Sequence, residues 1–173
     1  TIEGTLNSGA ASLHGNDWAG ITADGGNINF EGTYLLNAVQ SITLKNSATA
    51  ELNAVTLYNS ITGHLMLNSG SSANIIGSSL VLGDNCIKTS NDEEISLTVE
   101  YSNISMCGVG IHATSAQINL NELILYVPEA GIRVIDVSGS MSNITIDGDF
   151  TIFNGSGNPP AKIISDRSGL EIL

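Results

Sequence analysis

Apolar and polar residues alternate along this chain in short runs, as in Ile42-Thr43-Leu44, Leu65-Met66-Leu67 and Ile111-His112-Ala113. A period of two is the pattern of a strand with one face turned inward. The runs also return at a regular interval. One ladder of apolar positions reads Ile28, Leu52, Ile75, Leu97, Ile118, Met141. A second reads Leu13, Leu35, Leu57, Leu80, Ile104, Leu125. A third reads Ile21, Ile42, Leu65, Ile87, Ile111, Ile132 and continues to Ile163. Apart from that last step, successive members stand 21 to 24 residues apart. The pattern predicts an all-β parallel solenoid of about seven coils, with three short strands in each. Each strand then bonds to its copy ~4.8 Å away. A β-sandwich also uses short alternating strands, but nothing in a sandwich keeps three ladders in step.

Smaller features fit the same frame. Gly20, Gly110 and Gly131 each stand one place before the third strand, where a corner calls for positive φ. Asn16, Asn37 and Asn59 precede that strand by five or six residues and are placed to stack as an amide ladder. Trp18 is read as filling or capping the end of the core. Residues 1–173 form a single domain, and Gly155-Ser-Gly-Asn-Pro-Pro160 reads as a loop before a last coil. Thr1-Ile-Glu at one end and Leu170-Glu-Ile-Leu173 at the other read as continuing strands rather than caps. Two expectations follow: a segment of a longer solenoid, or self-association through the helix ends.

Composition agrees, being rich in Ile, Leu, Ser, Thr, Asn and Gly. Only Lys45, Lys88, Arg133, Lys162 and Arg167 oppose the acids, which leaves a net charge of −12. Nucleic acid is therefore not an expected partner. Membrane insertion is not expected either, because no apolar run has the length of a span. An extracellular or cell-surface location is the expectation.

On the coil period and alternation, the chain resembles the right-handed parallel β-helix proteins of the pectate-lyase-like superfamily over nearly its whole length. A shorter stretch is similar to the polygalacturonase motif region, with an Asp-Asp-Cys before one strand and a Cys-Gly-Gly-His-Gly before the next. Asp84 would match the first aspartate and Cys86 the cysteine, while Asn85 replaces the second aspartate. Cys107 and Gly110 fit the second motif, and Val109 stands in the place of the histidine. Inverting hydrolysis needs one carboxyl as acid and another as base. An amide does neither, so the resemblance supports the fold and counts against that chemistry. In that family the two cysteines bond. Read from the residues alone, Cys86 and Cys107 stand one coil apart and out of register, and both a disulfide and two buried thiols stay open. Without paired histidines nearby, zinc is not expected there.

The outward residue of the third strand makes its own column: Thr22, Thr43, Met66, Lys88, His112, Arg133. Asp84 and Glu129 each fall three residues before that strand and border the column. In pectate-lyase-like proteins such a face is where polysaccharide lies, with basic groups holding uronate carboxylates. Lys88, His112, Arg133, Asp84 and Glu129 are thus the candidate ligand site. The plainer reading is a solvated face on which Asp84 and Glu129 neutralise Lys88 and Arg133. His64 is read as a polar rim residue beside this face. Asp92-Glu93-Glu94 and Asp147-Gly148-Asp149 offer oxygen ligands for calcium, but they lack a calcium loop's spacing and read as solvated turns. No metal ligands or catalytic residues are assigned, and no cofactor is expected apart from calcium at those turns. The expected function is a non-catalytic structural, adhesive or carbohydrate-binding domain. The alternative is a lyase or hydrolase of an acidic polysaccharide.

Overall fold

The computed structural model describes residues 1–90, 94–127, 130–135, 137–146, 163–166 and 169–172. Among them there is no helix, hence none long and apolar enough to cross a membrane. The chain is an all-β parallel solenoid of about six turns, slightly fewer than the seven expected. The Gly155–Pro160 loop and the stretch around it lie outside the described residues.

Three parallel ladders run along the axis. The first sheet begins with β1 (Thr5–Gly9), β4 (Asn27–Glu31), β7 (Thr49–Asn53) and β10 (Ser72–Ile76). The second begins with β2 (Ser12–Trp18), β5 (Tyr34–Ala38) and β8 (Thr56–Tyr58). The third begins with β3 (Ile21–Asp24), β6 (Gln40–Lys45) and β9 (Gly63–Leu67). Further on, β11 (Ser79–Thr89) and β13 (Asn103–Thr114) run through the second and third sheets without a break, and β15 (Ala130–Ile135) continues the third. In the first sheet, β12 (Ile95–Glu100), β14 (Ala116–Tyr126) and β16 (Ser138–Ile146) extend the ladder.

Two of the expected ladders match the register residue for residue. Leu13, Leu35, Leu57, Leu80, Ile104 and Leu125 pair in turn. So do Ile21, Ile42, Leu65, Ile87, Ile111, Ile132 and Ile163. The first ladder is corrected. Ile28 pairs with Ala50 rather than Leu52, Ile75 with Val99 rather than Leu97, and Leu120 rather than Ile118 with Met141. Two inward columns run side by side in that sheet, one through Ile28, Ala50, Ala73 and Leu97, the other through Phe30, Leu52, Ile75 and Val99. A slip of two residues leaves the same face inward, so periodicity alone cannot separate them. The core is built of apolar side chains: Ile28, Leu35, Ile42, Leu52, Leu57 and Leu65 are fully buried. Each such side chain contributes roughly 1.5–3 kcal/mol relative to exposure.

Corners repeat as faithfully as strands. Between the first and second sheets the left-handed residue is Ala10, Gly32, Ala54, Gly77, Tyr101 and Glu122 in successive coils. Between the second and third it is Asn37, Asn59, Leu82 and Met106, with φ of 58°, 56°, 66° and 58°. The Asn59 amide Nδ2 donates to Asn37 Oδ1 at 2.7 Å. Asn16 does not extend this pair in register, because it lies in the irregularity between His14 and Trp18. Gly20 has the positive φ expected of it, +94°. Gly110 is needed for a different reason: a Cβ there would stand 2.5 Å from the Gly131 carbonyl oxygen. Trp18 packs against the core, and its indole N–H donates to Leu36 O at 2.9 Å.

Candidate functional site

Strand pairing in the third sheet places Thr22, Thr43, Met66, Lys88, His112 and Arg133 in one outward column. Lys88 is exposed, and His112 is half-buried between Lys88 on one coil and Arg133 on the next. The His112 imidazole is held below its ordinary value, first by burial and then by the Arg133 and Lys88 charges. It is therefore neutral near pH 7, a donor–acceptor flanked by two cations.

Asp84 does not neutralise Lys88. Its carboxylate is exposed and accepts from Asn85 Nδ2 at 2.8 Å. Among the described residues the only ion pair is Lys45–Asp24, at 3.5 Å. There, the Asn46 amide hydrogen bond and the Lys45 charge hold the half-exposed Asp24 carboxyl below its usual range. Glu129 lies outside the described residues, as do Asp92, Glu93 and the Asp147-Gly148-Asp149 turn.

Charge is divided between the faces. Lys45, Lys88 and Arg133, which are the lysines and arginines among the described residues, all belong to the third sheet. The first sheet turns outward a column of Asn7, Asn29, Glu51, Asn74, Thr98 and Asn119. Its side chains bond between coils, Asn29 to Asn7 at 2.9 Å and Asn74 to Glu51 at 2.8 Å. A shallow concavity there of about 560 Å³ is lined by Asn29, Glu31, Glu51 and Asn53, among others. A polyanion meets carboxylates on that face and cations on the third.

Compared with family models, curated proteins and solved structures, the chain matches none.

Near the cationic column, at the turn from the second sheet to the third, His64 is fully buried, which corrects its reading as a rim residue. Leu65 pairs with Ile87, so His64 stands one coil from Cys86, each one place before its ladder residue. Its Nε2–H donates to Val81 O at 3.0 Å, and Nδ1 accepts from the Ser41 hydroxyl at 3.2 Å. Burial lowers its pKa to about 4, against the opposing pull of the Val81 and Leu82 carbonyls. Beside it the structure joins Cys86 and Cys107 in a disulfide with Cα atoms 5.6 Å apart. Cys107 pairs with Gly83 rather than Cys86, and the corner at Leu82 and Met106 brings the offset sulfurs together. Adding one coil length to His64 reaches Cys86 in the sequence itself. That was the available signal, and the apolar ladders passed it over because neither residue belongs to them.

Proposed function

We propose that this solenoid is a non-catalytic binding or adhesive domain, extracellular or at the cell surface, whose third-sheet face holds an acidic polysaccharide. The observation that carries this reading is the column Lys88–His112–Arg133. Its two cations are spaced by coils and make no ion pair among the described residues, on a protein of net charge −12. Cations left free of carboxylate partners are available to a ligand carboxylate, and a neutral imidazole between them adds a hydrogen bond without asking for charge. The carboxylates of the first sheet repel the same polymer and so orient it. The likeness to pectate-lyase-like proteins in coil period supports the same face.

Lys88→Ser with Arg133→Ser is expected to abolish binding of a uronate polymer, and single replacements to weaken it, with strong dependence on salt. Unchanged binding by the double variant would end this reading. A second reading, lyase chemistry, is favoured by one feature: His112 is a neutral base next to two cations suited to stabilising an enolate-like charge. Double-bond absorbance across uronate polymers, with and without calcium, separates the two. The same adhesive reading includes end-to-end assembly, by addition of the terminal strands of one solenoid to those of another. Light scattering should then report mass rising with concentration, and a monomer at every concentration removes that part.

A further inference from the structure

The binding role leaves one cluster of chemistry unused. His64, Cys86 and Cys107 are fully buried, and one donor atom from each lies within 4.8 Å of the other two. We infer that these three side chains form a buried site for a thiophilic cation, taken as Zn²⁺, that exists when the disulfide is reduced. The same two sulfurs then serve alternately as a covalent cross-link and as metal ligands.

The ligand set suits the ion. Two thiolates and an imidazole are a common zinc-binding combination, and two thiolates cancel the charge of the cation so that burial is tolerable. Zinc–sulfur and zinc–nitrogen bonds of about 2.3 and 2.0 Å place tetrahedral donors roughly 3.5–3.8 Å apart. The sulfurs must separate once their bond is cut, and the imidazole has only a short distance to travel. Metal-bound histidines are oriented by a partner on the other ring nitrogen. Here Ser41 Oγ lies 3.2 Å from Nδ1 and Val81 O lies 3.0 Å from Nε2, so either choice of ligating nitrogen leaves the other held.

The step balances with a dithiol as reductant. It delivers two electrons and two protons to the Cys86–Cys107 bond and itself closes to a disulfide. The two thiols release their protons to solvent as Zn²⁺ binds. Access through the wall is eased at the same corner. In the two preceding coils the left-handed position holds Asn37 and Asn59, whereas the coils bearing the cysteines hold Leu82 and Met106. A branched or long apolar residue in that conformation costs about 1 kcal/mol more than Asn, which lowers the cost of opening just there.

The test is a titration of the full chain with Co²⁺ as the spectroscopic probe, followed by displacement with Zn²⁺, in phosphine-reduced and oxidised protein. Reduced wild type should bind one ion and develop thiolate-to-cobalt charge-transfer bands, while oxidised protein stays blank. Cys86→Ser should abolish the bands, and His64→Gln should weaken binding by about 100-fold or more, beyond the ~10–100-fold typical of losing an outer partner. Circular dichroism accompanies each sample. If the reduced chain loses its β spectrum, Zn²⁺ must restore it. Three results would overturn the site: no charge-transfer band in reduced protein, equal binding in the oxidised form, or undiminished affinity in His64→Gln. Failure of Zn²⁺ to refold an unfolded reduced chain would overturn it as well.

Discussion

Lowering the pH should destabilise this protein through one imidazole. His64 is enclosed by Ser41, Val81, Gly83 and the disulfide, and among the described residues no carboxylate reaches it to stabilise its cation. Its pKa falls from 6.5 to about 4 on folding. The unfolded chain therefore takes up a proton that the folded chain refuses throughout that interval. Stability is complete above about pH 6.5, declines as pH falls toward 4, and loses nothing further from this group below that. At about 1.4 kcal/mol for each pH unit between the two values, the loss is about 3 kcal/mol. Urea unfolding of wild type and His64→Gln from about pH 7 to about pH 4 measures it. Glutamine keeps an amide donor and acceptor for Val81 and Ser41 and has no proton to gain. Carboxylates such as Asp24 titrate in both proteins, so the difference between the curves isolates the imidazole. Wild type should lose about 3 kcal/mol more than the variant. Parallel curves would refute the burial-driven shift.

Two further outcomes follow from the corner beside it. Replacing Cys86 and Cys107 together with Ala should cost about 3 kcal/mol, the loop-entropy value for a sequence separation of 21 residues, read as a lower urea midpoint. Leu82→Asn should raise the melting temperature, gaining about 1 kcal/mol, because the left-handed φ of 66° suits Asn and Leu82 is already 39% exposed. A lower melting temperature would mean that Leu82 contributes packing which its exposure does not suggest.

The solenoid was legible wherever large apolar residues mark the repeat. Leu35, Leu57 and Leu80 align because the inward position of this strand holds leucine in each of these coils. The register of the first sheet is hidden in the sequence because its inward positions include Ala50 and Ala73, which are small beside Leu52 and Ile75 two places along. The outward column through Lys88, His112 and Arg133 could be written down from the third ladder by adding one residue. His64 could not be judged from its type alone. Histidine is intermediate in its tendency to be buried, and its burial here depends on Ser41 and Val81, which come from neighbouring coils. The corners were the least legible: Leu82, Met106 and Tyr101 adopt left-handed backbone without the Gly or Asn that would announce it.

Because each described strand bonds to its copy one coil away, a layer has, among the described residues, no strand partners beyond the layers that touch it. Damage to one coil should therefore sever the molecule energetically, leaving the stack on either side to melt as a separate block. Crossing from Ser79 to Thr89 and from Asn103 to Thr114 without a break, and tied by sulfur, the fourth and fifth layers are where such a fracture is best resisted.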